Sequence, residues 1–334
     1  MTDSVPNNSG PSGSWAPDVA WPTGPPTDAL AEMLRTLELT VTRKLAGFLH
    51  GQYQGITPGQ GSEIGESRMY QVGDDVRRID WNVTARTREL FVRDQIADRD
   101  LEGWLVVDVS APMRFTTSGP QKASLALGAA AAVGFLTARN QNRLGAVLVA
   151  GPELRTFPPR PGRAQVRAIL HAISMPPDSA GKGRADLSAA IRRVGAVSKR
   201  RGFVTVISDF LSTQTDPTDP EAGWQRALGT MALRNDALCI EIVDRRELDI
   251  PAVGYLALAD PATGRVREVQ MTEALQRRYR EAAELQRASI RDAIRRAGAD
   301  HLLLSTDQDW IGSLIQHVRR RKVQIAGVGG RLRR

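Results

Sequence analysis

The sequence predicts a doubly wound α/β fold with a mainly parallel central sheet, preceded by a smaller N-terminal helix and β-rich segment. Three observations predict it. Continuous apolar runs such as Trp104-Leu105-Val106-Val107, Phe203-Val204-Thr205-Val206-Ile207 and His301-Leu302-Leu303-Leu304 have the pattern of strands buried on both faces. Such runs alternate with helical stretches, the arrangement that covers a parallel sheet from both sides. The chain has 334 residues, 41% hydrophobic and 25% charged. That suits one large α/β domain plus an attachment, because single cores stop growing at roughly 250–300 residues.

Residues 1–27 are rich in Pro, Ser, Gly and Asn, bury too little surface to offset ordering entropy, and are expected to be a disordered tail. Residues 28–100 form the smaller segment. In it Leu34, Leu37, Val41, Leu45 and Phe48 recur at helical spacing, Gly51 and Gly55 stop that helix, and Glu89-Leu90-Phe91-Val92-Arg93 alternates as a strand does. The main domain is expected over 101–322. Its first strand ends at Asp108 and leads into an Ala-rich helix over 122–139. The runs at 146–149 and 154–157 lie too close together for a helical crossover and should pair as a hairpin. Helices over 163–173 and 187–199 lead to a strand ending in Asp209. A helix over 221–233, a strand over 237–243, a polar hairpin near Tyr255, a long charged helix over 272–297, the strand at His301 and a helix over 310–321 follow. Residues 323–334 read as a basic flexible tail.

Composition narrows the function classes. Cys239 is the one cysteine and sits in an apolar run, so it reads as a buried core thiol without a disulfide or zinc partner. His50, His171, His301 and His317 are scattered without zinc-ligand spacing, no serine lies in a G-x-S-x-G elbow, and Gly181-Lys182-Gly183 lacks the rest of a phosphate loop. A non-catalytic protein is the expectation. There is no basic n-region with an apolar segment behind it, and the longest mostly apolar run, 125–136, falls short of the roughly 20 residues that span a bilayer. The chain is therefore expected to be soluble, cytoplasmic and not transmembrane. A net charge of +8 raises a second reading, a basic surface associating with nucleic acid or anionic membrane through Arg319-Arg320-Arg321-Lys322 and Arg331-Leu332-Arg333-Arg334. Elsewhere the basic residues alternate with acids, and aromatics are only 5%, too few for a stacking platform. Nucleic acid is the less favoured partner.

Chemistry is expected where Asp108, Ser110 and Asp209 meet, at the carboxyl ends of two buried strands, because open parallel sheets bind ligands there. Their oxygens suit a hard cation such as Mg²⁺, with capping of the next turn as the alternative role. Here the sequence resembles the von Willebrand factor A superfamily, whose metal-ion-dependent adhesion site uses Asp-x-Ser-x-Ser, a later Thr and a further Asp. Asp108, Ser110 and Asp209 match. Pro112 replaces the second serine and Ala185 replaces the threonine, so the resemblance implies a degenerate site, with Asp186 as a partial substitute and any cation held weakly or through water.

A second resemblance covers nearly the whole chain after the tail. Tyr70-Gln71-Val72-Gly73-Asp74-Asp75-Val76-Arg77-Arg78-Ile79-Asp80-Trp81-Asn82 is similar to the signature of the bacterial domain-of-unknown-function family fifty-eight, as are Val107-Asp108-Val109-Ser110-Ala111-Pro112-Met113 and Ile242-Val243-Asp244-Arg245-Arg246-Glu247-Leu248. That resemblance implies a von Willebrand A-like domain and genes that often lie beside one for a MoxR-type AAA+ ATPase. It also implies an adaptor role toward that ATPase and an unknown client protein. Read from its residues alone, the signature places Asp74 and Asp75 in a tight turn after Gly73, lets Arg77, Arg78 and Asp80 cross-pair with them, and uses Trp81 to anchor the segment to the core. Either the packing of that segment or a surface for a partner would result.

Overall fold

The strand Glu102–Asp108 is buried at every residue, as the run of apolar side chains requires. The computed structural model that shows this describes residues 58–96, 101–114, 121–139, 142–177, 185–198, 200–211, 223–251, 254–260 and 263–318, with Arg320 and a few positions between 32 and 40. In chain order its strands are β1 (Pro58–Met69), β2 (Phe91–Ile96), β3 (Glu102–Asp108), β4 (Arg143–Ala150), β5 (Glu153–Pro161), β6 (Gly202–Ser208), β7 (Asp236–Val243), β8 (Gly254–Ala259), β9 (Val266–Met271) and β10 (Asp300–Ser305). The helices are α1 (Trp81–Thr87), α2 (Lys122–Arg139), α3 (Arg163–Ser174), α4 (Leu187–Val197), α5 (Trp224–Ala232), α6 (Arg245–Leu248) and α7 (Glu273–Arg296). A last helix, α8, runs over 310–318.

Six strands form the main sheet in the order β10-β7-β6-β3-β4-β5. All neighbours are parallel except β5, which returns antiparallel beside β4 as the short connection demands. The chain leaves β3 for β4 on one side and comes back to β6 on the other. Strand order therefore reverses beside β3, and the crevice at its carboxyl end opens between β3 and β6.

Alternate residues of β3 face opposite layers. Leu105 and Val107 join one core with buried residues of α2, α3 and α8, whereas Trp104 and Val106 join a second core with α4, α5 and α7. Ala129, Ala130, Ala131 and Ala132 of α2 are fully buried, and their short side chains let this helix lie close against the sheet. Two cross-strand pairs set the sheet's middle. Gly103 lies opposite Phe203, and Gly145 lies opposite Trp104. A Cβ at Gly103 would stand 2.3 Å from the Phe203 ring, and one at Gly145 would stand 2.8 Å from the Trp104 ring, so each glycine leaves room for the neighbouring ring to lie over its backbone.

The expected order of strands and helices from β3 onward is observed, including the β8–β9 hairpin at Tyr255. Cys239 is buried as expected. Two elements were not expected, α1 within the signature and the one-turn α6; both begin at an aspartate whose side chain caps the first turn. β1 and β2 pair with each other as a separate antiparallel sheet. Of the expected helix near 34–48, Glu38 is helical and its carboxylate lies 3.1 Å from Arg163 and 3.0 Å from Arg167 of α3. The tails at 1–27 and 323–334, the Gly181-Lys182-Gly183 loop and, Arg320 apart, the C-terminal Arg clusters lie outside the described residues.

Gly145→Ala should lower stability by about 1–3 kcal/mol in urea unfolding, because the Trp104 ring must move. Gly229→Ala is the contrast: its Cβ would meet nothing nearer than 3.9 Å inside α5, so it should be neutral or stabilising by up to about 1 kcal/mol. Equal losses at the two positions would contradict the ring-over-glycine account.

Candidate functional site at the carboxyl edge of the sheet

Asp108, the last residue of β3, is 1% exposed, and its carboxylate is held on both sides. One oxygen accepts the Ser110 backbone N–H at 2.9 Å and the Ser110 hydroxyl at 2.6 Å; the other accepts the Ser208 hydroxyl at 2.8 Å. Ser208 ends β6, and its oxygen accepts the Phe210 N–H at 3.1 Å. Asp209 follows and accepts the Leu211 N–H at 2.9 Å. Phe210 between them adopts a left-handed backbone, φ 57°, and stays there with its ring buried 5.0 Å from that of Trp224. A non-glycine residue in this region is strained, so the turn that aims Asp209 is held by packing.

The second oxygen of Asp209 meets Lys122. This lysine is the first residue of α2, its side chain has no exposure, and its Nζ lies 2.8 Å from Asp209 and 2.6 Å from Glu247. Glu247 belongs to α6, where Asp244 caps the Arg246 N–H at 2.8 Å and its own N–H donates to the other Glu247 oxygen at 3.2 Å. Arg287 of α7 donates to the Asp209 carbonyl at 3.0 Å and to Glu241 at 2.7 Å, and also lies 3.7 Å from Glu247. His301 Nε2 is 2.6 Å from Glu241. The result is a line of ionisable groups of alternating type, Asp209, Lys122, Glu247, Arg287, Glu241 and His301, crossing the sheet from β6 to β10.

Burial pushes the Asp108 carboxyl up to about 6, and the neighbouring charge of Asp209 adds to it, against the hydrogen bonds from Ser110 and Ser208. Burial pulls Lys122 down, yet the charges of Asp209 and Glu247 outweigh it and hold the ammonium above its ordinary value.

The structure brings together Asp108, Ser110 and Asp209 as expected, and adds Ser208, Lys122, Glu247 and Arg287. Asp186 does not join them through its hydrogen bond: its carboxylate accepts the Ala189 N–H at 2.8 Å and caps α4. Ala185 lies in the apolar core, and Pro112 is buried in the turn at Ala111–Arg114. Among the described residues no group of three or more His, Cys, Asp or Glu is disposed to hold a metal ion. The donor set fits Mg²⁺ poorly, since an ammonium faces the Asp209 oxygen that would have to bind it. The sequence carried one overlooked signal. A lysine opening an otherwise apolar helix opposes the helix dipole and calls for an acid partner.

In the signature the expected cross-pairing is replaced by other partners. Asp74 forms a two-point ion pair with Arg68, 2.7 Å at each oxygen, and this bond, with one from the Gln71 N–H, holds its carboxyl at about 2. Asp75 caps the turn Val76–Arg78 through the Arg77 N–H at 3.0 Å. Asp80 caps α1 through the Asn82 and Val83 N–H groups and accepts the Ser67 hydroxyl at 2.8 Å. Local backbone donors reach these acids ahead of Arg77 and Arg78. Trp81 does not anchor the segment: it opens α1, a helix without a buried residue, and is 66% exposed.

A family model described as a protein of unknown function, DUF58, matches residues 66–289. The chain belongs to this family. The DUF58 match takes in the signature, β3, Lys122, Asp209, Glu247 and Arg287. An uncharacterized protein of Mycobacterium tuberculosis is 44% identical over 299 residues, covering 89% of this chain and 92% of that protein. One of Mycobacterium avium is 36% identical over 171 residues, 51% of this chain and 96% of that protein. Among solved structures, the conserved hypothetical protein BatB from Bacteroides thetaiotaomicron is 13% identical, with a TM-score of 0.41 over 66% of this chain and 98% of that one. A von Willebrand factor type A structure from Catenulispora acidiphila is 16% identical, with a TM-score of 0.33 over 55% of this chain and 42% of that one. The fold of this DUF58 chain rests on its own strand order. No helix among its described residues is long and apolar enough to cross a membrane.

The raised Asp108 carboxyl has a pH signature. The folded state holds this proton up to about pH 6, whereas the unfolded chain releases it near 3.8. Stability therefore falls as pH rises between those values, by up to about 3 kcal/mol. Asp108→Asn should remove that fall, and chemical denaturation of both proteins at several pH values measures it. A variant that keeps the wild-type slope would show that Asp108 is not its source.

Proposed function

We propose that this chain is a non-catalytic protein-binding adaptor that engages a MoxR-type AAA+ ATPase, and through it a client protein, by the lobe carrying the signature. The family resemblance supplies the ATPase as partner; exposed Trp81 is the observation that supports the surface. Val72 is fully exposed and Val76 is 61% exposed in the same stretch, and Arg77, Arg86 and Arg88 stand in solvent around them. The three signature acids are meanwhile engaged in capping and in the Arg68 pair, which fixes the backbone of the turns that carry these exposed side chains. Tryptophan and arginine are the residues that dominate binding energy at protein interfaces, and a tryptophan as exposed as Trp81 is costly to leave in water.

The carboxyl edge supports the non-catalytic half of this reading. Asp108 and Asp209 are engaged with Ser110, Ser208 and Lys122, and these groups are buried, so an acid or base there lacks access to a substrate.

A AAA+ ATPase should co-purify with the full chain from its native cells. Trp81→Ala should weaken that association at least about tenfold, as expected for a buried interface anchor, with an unchanged melting temperature. Absence of any AAA+ ATPase, or equal recovery with Trp81→Ala, would overturn the partner or the surface respectively.

A further inference from the structure

A divalent cation between the ends of β3 and β6 needs oxygens that converge on one point and are not already satisfied. Asp108 has both oxygens on the hydroxyls of Ser110 and Ser208, and Asp186 caps α4. Two carboxylates do converge nearby, those of Asp209 and Glu247, but on a nitrogen. Lys122 Nζ stands 2.8 Å from one and 2.6 Å from the other, with its side chain wholly buried. Both desolvation and the dipole of α2 oppose an ammonium in this place, and the two acids offset those penalties. Glu247 is in turn fixed by the capping box of α6, and Arg287 lies 3.7 Å from it while donating to the Asp209 backbone carbonyl.

The geometry points to Lys122 Nζ as a built-in replacement for a divalent cation at this edge. The chain assembles the edge without metal, and a divalent site between Asp209 and Glu247 opens only when the ammonium is removed. This is independent of docking by Trp81, which lies in a different sheet's lobe. Mg²⁺ commonly uses one or two carboxylates and completes its shell with water, so these two acids suffice once there is room.

Two measurements on the full chain test it. Wild-type protein should show the same melting temperature, and no calorimetric heat of binding, in EDTA and in millimolar Mg²⁺ or Mn²⁺; a binding heat, or a rise of several degrees, overturns the proposal. Lys122→Ala, which removes the charge and makes room for an ion with its waters, should melt about 10 °C lower in EDTA. Millimolar Mn²⁺ should restore at least half of that loss by binding the folded state alone. An alanine variant as stable as wild type in EDTA, or one that Mn²⁺ does not restore, overturns it. A variant that folds only with Mn²⁺ present supports it.

Discussion

The ion triple of Lys122, Asp209 and Glu247 is the constraint around which the rest of the carboxyl edge is arranged. Its central ammonium is fully buried between two carboxylates, so losing the lysine would leave two neighbouring acids without the cation between them. The surrounding architecture supplies the positions that this demands. β6 delivers Asp209 through a strained turn, α6 delivers Glu247 through a capping box, and α2 delivers the lysine from its first turn. Arg287 and Glu241 then extend the same alternation of charge toward β10. These charges tie the end of β6, the start of α2 and α6 together at this edge.

The fold was legible because its determinants are local and periodic. Runs such as Trp104 to Val107 state their burial directly, and the short spacing between β4 and β5 leaves an antiparallel hairpin as their connection. Asp108, Ser110 and Asp209 were legible for a related reason: an acid at the end of a buried strand marks the edge where such sheets carry polar groups. Lys122 was not, because its partners lie 87 and 125 residues further along the chain, and pattern within one helix says nothing about them. The signature misled in a different way. Its acids and arginines are adjacent in sequence and invite mutual pairing, yet the acids meet backbone N–H groups and Arg68, which lies before the motif.

The two regions divide their chemistry. At the carboxyl edge Asp108, Ser110, Ser208, Asp209 and Lys122 are buried and engaged with one another, and Glu247 and Arg287 are mostly buried beside them. In the signature lobe the acids cap turns or pair with Arg68, and Val72, Val76, Arg77 and Trp81 are among the side chains that face water. Buried, mutually engaged ions in one place and exposed side chains in the other set the two regions apart.

The long sequence separation within the ion triple bears on how the protein is made. On a ribosome, β3, α2, β4 and β5 emerge well before Glu247, so the nascent half-sheet carries an ammonium that neither acid has yet reached. Closing that half-sheet over an unpaired charge is unfavourable, which keeps it open until β6 and α6 arrive. The lysine thereby links the early and late parts of the chain through contacts 87 and 125 residues apart. A truncated product ending before α6 would retain seven of the ten described strands but lack the acid that completes the ion triple.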